Sequence, residues 1–167
     1  MSQVNNIGSI MGSIDLGPTG SLQFQFAKLQ LALSEISKNN AIGYIDQIQK
    51  SQDEQKKVSD LLQQARQLQA DAKSSGKSTT MPADMKTYMD QNGLAYDKTG
   101  NDTLHNKDEW EVAITSLKAH LDQLGTDTQQ KMVFVQDFMG QYNSYLQGAN
   151  SAIQQANQTL AELARVR

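Results

Sequence analysis

The residues with the widest chemical reach in this 167-residue chain are its two histidines, His105 and His120. An imidazole can relay protons near neutral pH or ligate a metal. Neither histidine has a second one at metal-binding spacing, and His120 falls on the polar side of a helical pattern beside Leu121, a surface position. The stretch DKTGNDTLHNKD, Asp97 to Asp108, is rich in oxygen ligands like a calcium loop. A calcium loop needs glycine at its sixth position and glutamate at its twelfth, where this chain has Asp102 and Asp108, so the stretch reads as a plain turn. SSGKST, 74–79, contains the GKS triplet of a phosphate loop without the loop's first glycine or a preceding strand, and reads as a linker. There is no G-x-S-x-G and no H-E-x-x-H. The acidic pairs Asp53/Glu54 and Asp108/Glu109 belong to a solvated helix face and a helix start. The sequence therefore nominates no catalytic, cofactor-binding or metal-ligating residue, and an enzyme is the least supported class.

Composition narrows the remaining classes. Net charge is -3 and hydrophobic residues make up 38 % of the chain, with Gln, Asn, Ser and Thr filling the difference. An acidic chain with pI ≈ 5.3 is not drawn to nucleic acid or to anionic lipid. Cysteine is absent, which excludes a disulfide framework and thiolate sites. The start, MSQVNNIGSIMGSIDLGPTGS, has no basic n-region, continuous apolar core or A-x-A site, so no cleaved general secretory signal is expected. No stretch approaches the ~20 apolar residues of a membrane-spanning helix.

Periodicity then supplies the elements. Residues 1–20 are small and polar, with Gly8, Gly12, Gly17 and Pro18, and read as a disordered segment. From Ser21, the spacing of Leu22, Phe26, Leu29, Leu33 and Ile36 predicts a helix over 21–73. A stutter is expected near Asn39–Gly43, and the pattern resumes with Val58, Leu61, Leu62, Ala65 and Leu68. Residues 74–108 read as a less regular insert. In it, Thr80 caps a short helix, Pro82 occupies its first turn, Gly93 ends it, and Met81, Met85, Tyr88 and Met89 form its apolar face. Asn106 followed by Asp108 and Glu109 opens the last helix, 109–167.

That last helix carries the strongest pattern. With Ile114 at heptad position a, the a row runs Ile114, Leu121, Thr128, Val135, Tyr142, Ala149, Ala156 and Leu163. The d row runs Leu117, Leu124, Lys131, Phe138, Tyr145, Ala152 and Thr159. The e row is also apolar, with Met132, Met139, Leu146, Ile153 and Leu160. An a/d/e stripe is broader than a two-stranded seam uses. At about 1.5 Å per residue the helix would reach roughly 85 Å, too long to be buried within its own chain. The stripe is expected to pack on the first helix and, with its excess width, on other molecules. The coiled-coil or assembly interface is assigned to Leu22, Phe26, Leu29, Leu33 and Ile36 on the first helix. On the last helix it takes Leu121, Leu124, Met132, Val135, Phe138, Met139, Tyr142, Tyr145, Leu146, Ile153 and Leu160.

Three stretches carry a family likeness: MPADMKTYMDQNGL at 81–94, ITSLKAHLDQLGTDTQQKMVFVQ at 114–136 and QYNSYLQGANSAIQQANQTLAEL at 141–163. Together they resemble the extracellular filament and needle-tip proteins of bacterial type III secretion systems, including V-antigen-like tip proteins. The resemblance implies an all-α fold, an antiparallel hairpin of two long coiled-coil helices with a short, less regular insert. It implies export by the type III pathway through an uncleaved N-terminus and a place at the bacterial surface. It implies self-assembly at the needle tip, contact with translocon pore proteins and a cytosolic chaperone before export, with membrane contact only indirect. The short insert favours a filament-like subunit. In filament subunits the N-terminal helix tends to be strongly apolar, whereas here Gln23, Gln25 and Gln30 interrupt it. The competing expectation is a cytosolic coiled-coil adaptor or secretion regulator that is not exported.

Overall fold

The computed structural model describes residues 2–14, 21–101 and 103–165. The chain is an all-α helical hairpin in which two long helices, α2 (Leu22–Ser75) and α4 (Lys107–Arg165), pack heavily against each other. Between them lie a two-residue strand β1 (Thr79–Thr80), helix α3 (Ala83–Gln91), a 3-10 turn (Thr99–Asn101) and a second short strand β2 (Leu104–His105). A further helix, α1 (Ser2–Ser13), precedes the hairpin.

Several local expectations change. Residues 2–13 form a helix, not a disordered segment, because Ile7, Ile10, Met11 and Ile14 recur at helical spacing and are all half-buried. The rest of the expected disordered segment, 15–20, lies outside the described residues. Helix α2 passes through Asn39–Gly43 without a stutter and stops at Ser75, where Gly76 takes the left-handed conformation with φ 65. Thr80 does not cap α3, because it is spent in the ladder, where Thr79 pairs with His105 and Thr80 with Leu104. Pro82 is itself the N-cap and has no side-chain cap bond. At the other end Gly93 adopts φ 64, and Leu94 N donates to Met89 O at 2.8 Å, closing α3 as the sequence predicts.

Helix α4 begins two residues earlier than expected, at Lys107, on a reciprocal cap. Asn106 Oδ1 accepts from the backbone N–H groups of Asp108 and Glu109 at 2.8 and 3.1 Å, and Glu109 Oε2 accepts from Asn106 N at 2.7 Å. Free N–H groups at a helix start are satisfied in both directions by such a pair.

The chain divides into a central unit, Ile48–Gln130, and a terminal unit, Met1–Gln47 with Lys131–Arg167. The central unit holds the main core. Val58, Leu61, Leu62, Ala65 and Ala72 of α2 meet Met81, Met85, Tyr88 and Met89 around α3 and Trp110, Ala113, Ile114 and Leu117 of α4. Trp110 anchors it: Nε1 donates to Thr79 Oγ1 at 2.8 Å, and Thr79 Oγ1 donates to Leu68 O at 2.9 Å. This chain of two bonds ties β1 to both long helices and leaves the indole N–H satisfied in the core.

Candidate interaction surface

Among the described residues no group of three or more His, Cys, Asp or Glu side chains could hold a metal. The titratable clusters of the central unit act as fasteners. Tyr88 OH donates to Glu54 Oε1 at 2.5 Å and lies 3.2 Å from His120 Nε2, while Lys57 Nζ sits 4.5 Å above its ring. His120 is thus half-buried in a clasp joining α2, α3 and α4, not at the free surface expected for it. Burial, with the Glu54 carboxylate as acceptor, raises the Tyr88 phenol well above its ordinary value of 10.0. A phenol kept protonated this firmly donates a bond and is not poised to abstract a proton.

The sign of the pH effect follows. A raised phenol value stabilises the fold below about pH 10, and that contribution is lost as the pH rises further. Tyr88→Phe should cost about 1–2 kcal/mol at neutral pH and remove this part of the alkaline fall in stability, as followed by urea unfolding at several pH values. An unchanged alkaline slope in the variant would assign the fall to other groups.

Asp90 is a second fastener. Its carboxylate accepts from Lys86 at 2.8 Å, from Tyr96 OH at 2.8 Å and from Lys98 at 3.1 Å. These donors, Lys86 first, hold its carboxyl far below the usual range. His105 is buried against Trp110 and Tyr96, with ring centroids 5.2 and 6.2 Å away. Its ring nitrogens make no hydrogen bond among the described residues, and Glu109 Oε2 lies 4.0 Å from Nδ1. Asp97 Oδ1 accepts from Thr99 N at 2.6 Å, closing a turn at the start of the calcium-like stretch, and that stretch goes on to contribute β2 and the first residues of α4.

The terminal unit is built differently. Its buried α2 side chains are Ala27, Ala32, Ser34, Ser37 and Ala41, and its buried α4 side chains are Ala149, Ala152 and Ala156. The register is visible in two contacts: a Cβ on Gly148 would meet Gln30 Oε1 at 3.1 Å, and Tyr44 packs on Phe134 and Phe138 with centroids 5.2 and 5.9 Å apart. The side chains fully buried between these helices are thus small, and larger ones such as Tyr44 and Phe138 meet across them half-buried.

Of the residues assigned to the interface, Leu121 and Leu124 lie in the central unit, partly buried against its core. The others lie in the terminal unit. Leu29, Leu33 and Ile36 on α2 and Val135, Phe138, Tyr142, Tyr145, Leu146 and Ile153 on α4 are half-buried along the margins of the seam. Leu22, Phe26, Met132, Met139 and Leu160 are exposed, Leu22 at 79 %. The e row of α4 therefore divides, with Met132, Met139 and Leu160 outside and Leu146 and Ile153 part-covered.

Five exposed large apolar residues of the terminal unit were not assigned to the interface from the sequence: Ile42, Ile45, Val133, Phe134 and Leu163. Val133 and Phe134 belong to the run Met132-Val133-Phe134-Val135, and consecutive apolar residues on a helix point in directions that one seam cannot all cover. That run was the available signal. Tyr44, which has Ile42 and Ile45 beside it on α2, packs on Phe134, which follows Met132 and Val133 on α4. Between Lys131 and Glu162, α4 carries a single charged residue, Asp137. Exposed apolar residues on a stretch of α4 with so little charge mark a candidate binding face.

No family model, curated protein or solved structure matches this chain. No helix among the described residues is long and apolar enough to cross a membrane.

Proposed function

We propose that this chain is a secreted structural subunit of a bacterial type III secretion system. On this reading it assembles at the needle tip or as a filament and supports translocon insertion and effector delivery into host cells. The observation that carries the reading is the inversion in the terminal unit, where the fully buried side chains are alanine and serine while Phe26, Met132, Val133, Phe134 and Met139 remain exposed. Apolar surface left uncovered by a helical hairpin favours association, and copies with little charge on that face meet without repulsion. The likeness of 81–94, 114–136 and 141–163 to filament and tip proteins supplies the biological setting. Before export, a cytosolic chaperone would cover the same face.

Electron microscopy of the purified protein, with light scattering over a concentration series, tests the reading. Tubes or closed rings that dissociate on dilution are expected. A monodisperse monomer at every concentration, together with failure of residues 1–20 to carry a reporter out through the secretion apparatus, would overturn it. A second reading, a cytosolic coiled-coil adaptor, is favoured by an apolar groove of ≈ 470 Å³ in the terminal unit, lined by Leu22, Phe26, Gly148 and Ala152 among others. Such a groove suits helix-in-groove binding. Export of the reporter separates the two.

A further inference from the structure

The two units bury very different side chains for similar lengths of ordered helix. In the central unit the largest fully buried residues are Trp110, Met81, Met85, Met89, Leu117 and Val58. In the terminal unit no described residue larger than alanine or serine is buried. Hydrophobic stabilisation scales with the apolar area removed from water, and an alanine offers one methyl group. The conformational cost of ordering a residue is much the same in both units. Ser34 adds little to the seam, since its hydroxyl donates to Leu31 O of its own helix at 2.7 Å. Gly43 and Gly140 add helix positions where a side-chain Cβ would find open space, and glycine's backbone freedom favours unfolding.

We infer that the terminal unit is a separately opening module: its segments of α2 and α4 part from each other in the native protein while the central unit stays closed. The central unit carries a polar stop against this opening. Ser51 Oγ and Thr128 Oγ1 share a hydrogen bond at 2.8 Å, and Gln55 Nε2 donates to Thr128 Oγ1 at 2.8 Å and to Leu124 O at 3.2 Å. Opening beyond this layer breaks all three bonds together and exposes the large core residues behind them. The inference does not depend on secretion. On the subunit reading it means that the helices gain their full order as the exposed face becomes covered.

Hydrogen exchange followed by mass spectrometry, on the full chain at a concentration where it is monomeric, tests the inference. Peptides from 23–47 and 132–160 should exchange roughly 100-fold faster than those from 58–72 and 110–121. The change should come as a step near Ser51 and Thr128. Ala149→Asp, at a fully buried seam position, should raise exchange in the terminal unit by about tenfold and leave the central unit within about twofold of the parent. Equal protection in both units, or loosening of both by Ala149→Asp, would show one cooperative structure and overturn the inference. A smooth turn-by-turn decline toward the helix ends would also overturn it, since that is fraying and not the opening of a module.

Discussion

Replacing Trp110 with alanine is expected to cost about 3–5 kcal/mol. That is a large share of the roughly 5–15 kcal/mol by which a domain is normally stable. The indole is fully buried, it stands edge-on to His105, and its N–H links the first turn of α4 to the Thr79 hydroxyl. Truncation leaves a cavity beside His105 in the core cluster, and it removes the donor that fixes the Thr79 hydroxyl between α4 and α2. Urea unfolding followed by far-ultraviolet circular dichroism reads the loss, since the chain's one tryptophan is no longer there to report. Trp110→Phe keeps an aromatic ring against His105 but not the donor, and should recover about half of the lost stability. A cost below about 1 kcal/mol for the alanine variant would mean that the core collapses around the gap and that the indole is not its anchor.

The helical hairpin was legible because its signal repeats. A heptad pattern that holds from Ile114 to Ala156 states its period many times over, and Ile114, Leu117, Ala149, Ala152 and Ala156 are buried at the a and d positions assigned to them. Features that occur once were not legible. Strands of two residues, Thr79–Thr80 and Leu104–His105, are too short to display an alternation. The burial of His105 follows from that pairing, so nothing local announced it. The half-buried setting of His120 likewise depends on α3 bringing Tyr88 to it across the fold.

The seam of α2 was hidden for a different reason. Large apolar side chains are the usual guide to a buried face, and they point to Leu22, Phe26, Leu29, Leu33 and Ile36. In the terminal unit the buried positions Ala27, Ser34 and Ala41 recur at seven-residue intervals, with Ser37 between them. The period was present, but it was written in residues that a search by hydrophobicity passes over. Close approach of two helices selects small side chains, and the larger ones are then displaced to the margins or to solvent. For α1 the opposite error arose, because glycine content outweighed the Ile7, Ile10, Met11 and Ile14 pattern.

The displaced residues make the second large expectation. The triple substitution Met132→Lys, Val133→Lys and Met139→Lys should abolish self-association while leaving the hairpin folded. All three positions are exposed, so their contribution to the isolated chain is small, within about 0.5 kcal/mol each. At a subunit contact each would instead bury its remaining exposed half, at about 0.8–1.5 kcal/mol apiece. Three such losses, with lysines then placed in an apolar interface, should weaken association by at least roughly 40-fold, since every 1.4 kcal/mol is about tenfold. Leu146 and Ile153 are poorer targets, because they are half-buried and lysine there would disturb the hairpin as well as the contact. Added charge alone needs its own control: Gln136→Lys, Gln141→Lys and Gln147→Lys place three lysines on exposed positions of the same helix without removing apolar surface. Association measured by light scattering should survive in the glutamine variant and vanish in the Met/Val variant, with circular dichroism unchanged in both. Loss in both would assign the effect to net charge. Survival in both would move the contact away from this face of α4, to Leu22 and Phe26 or to the half-buried margin of the seam.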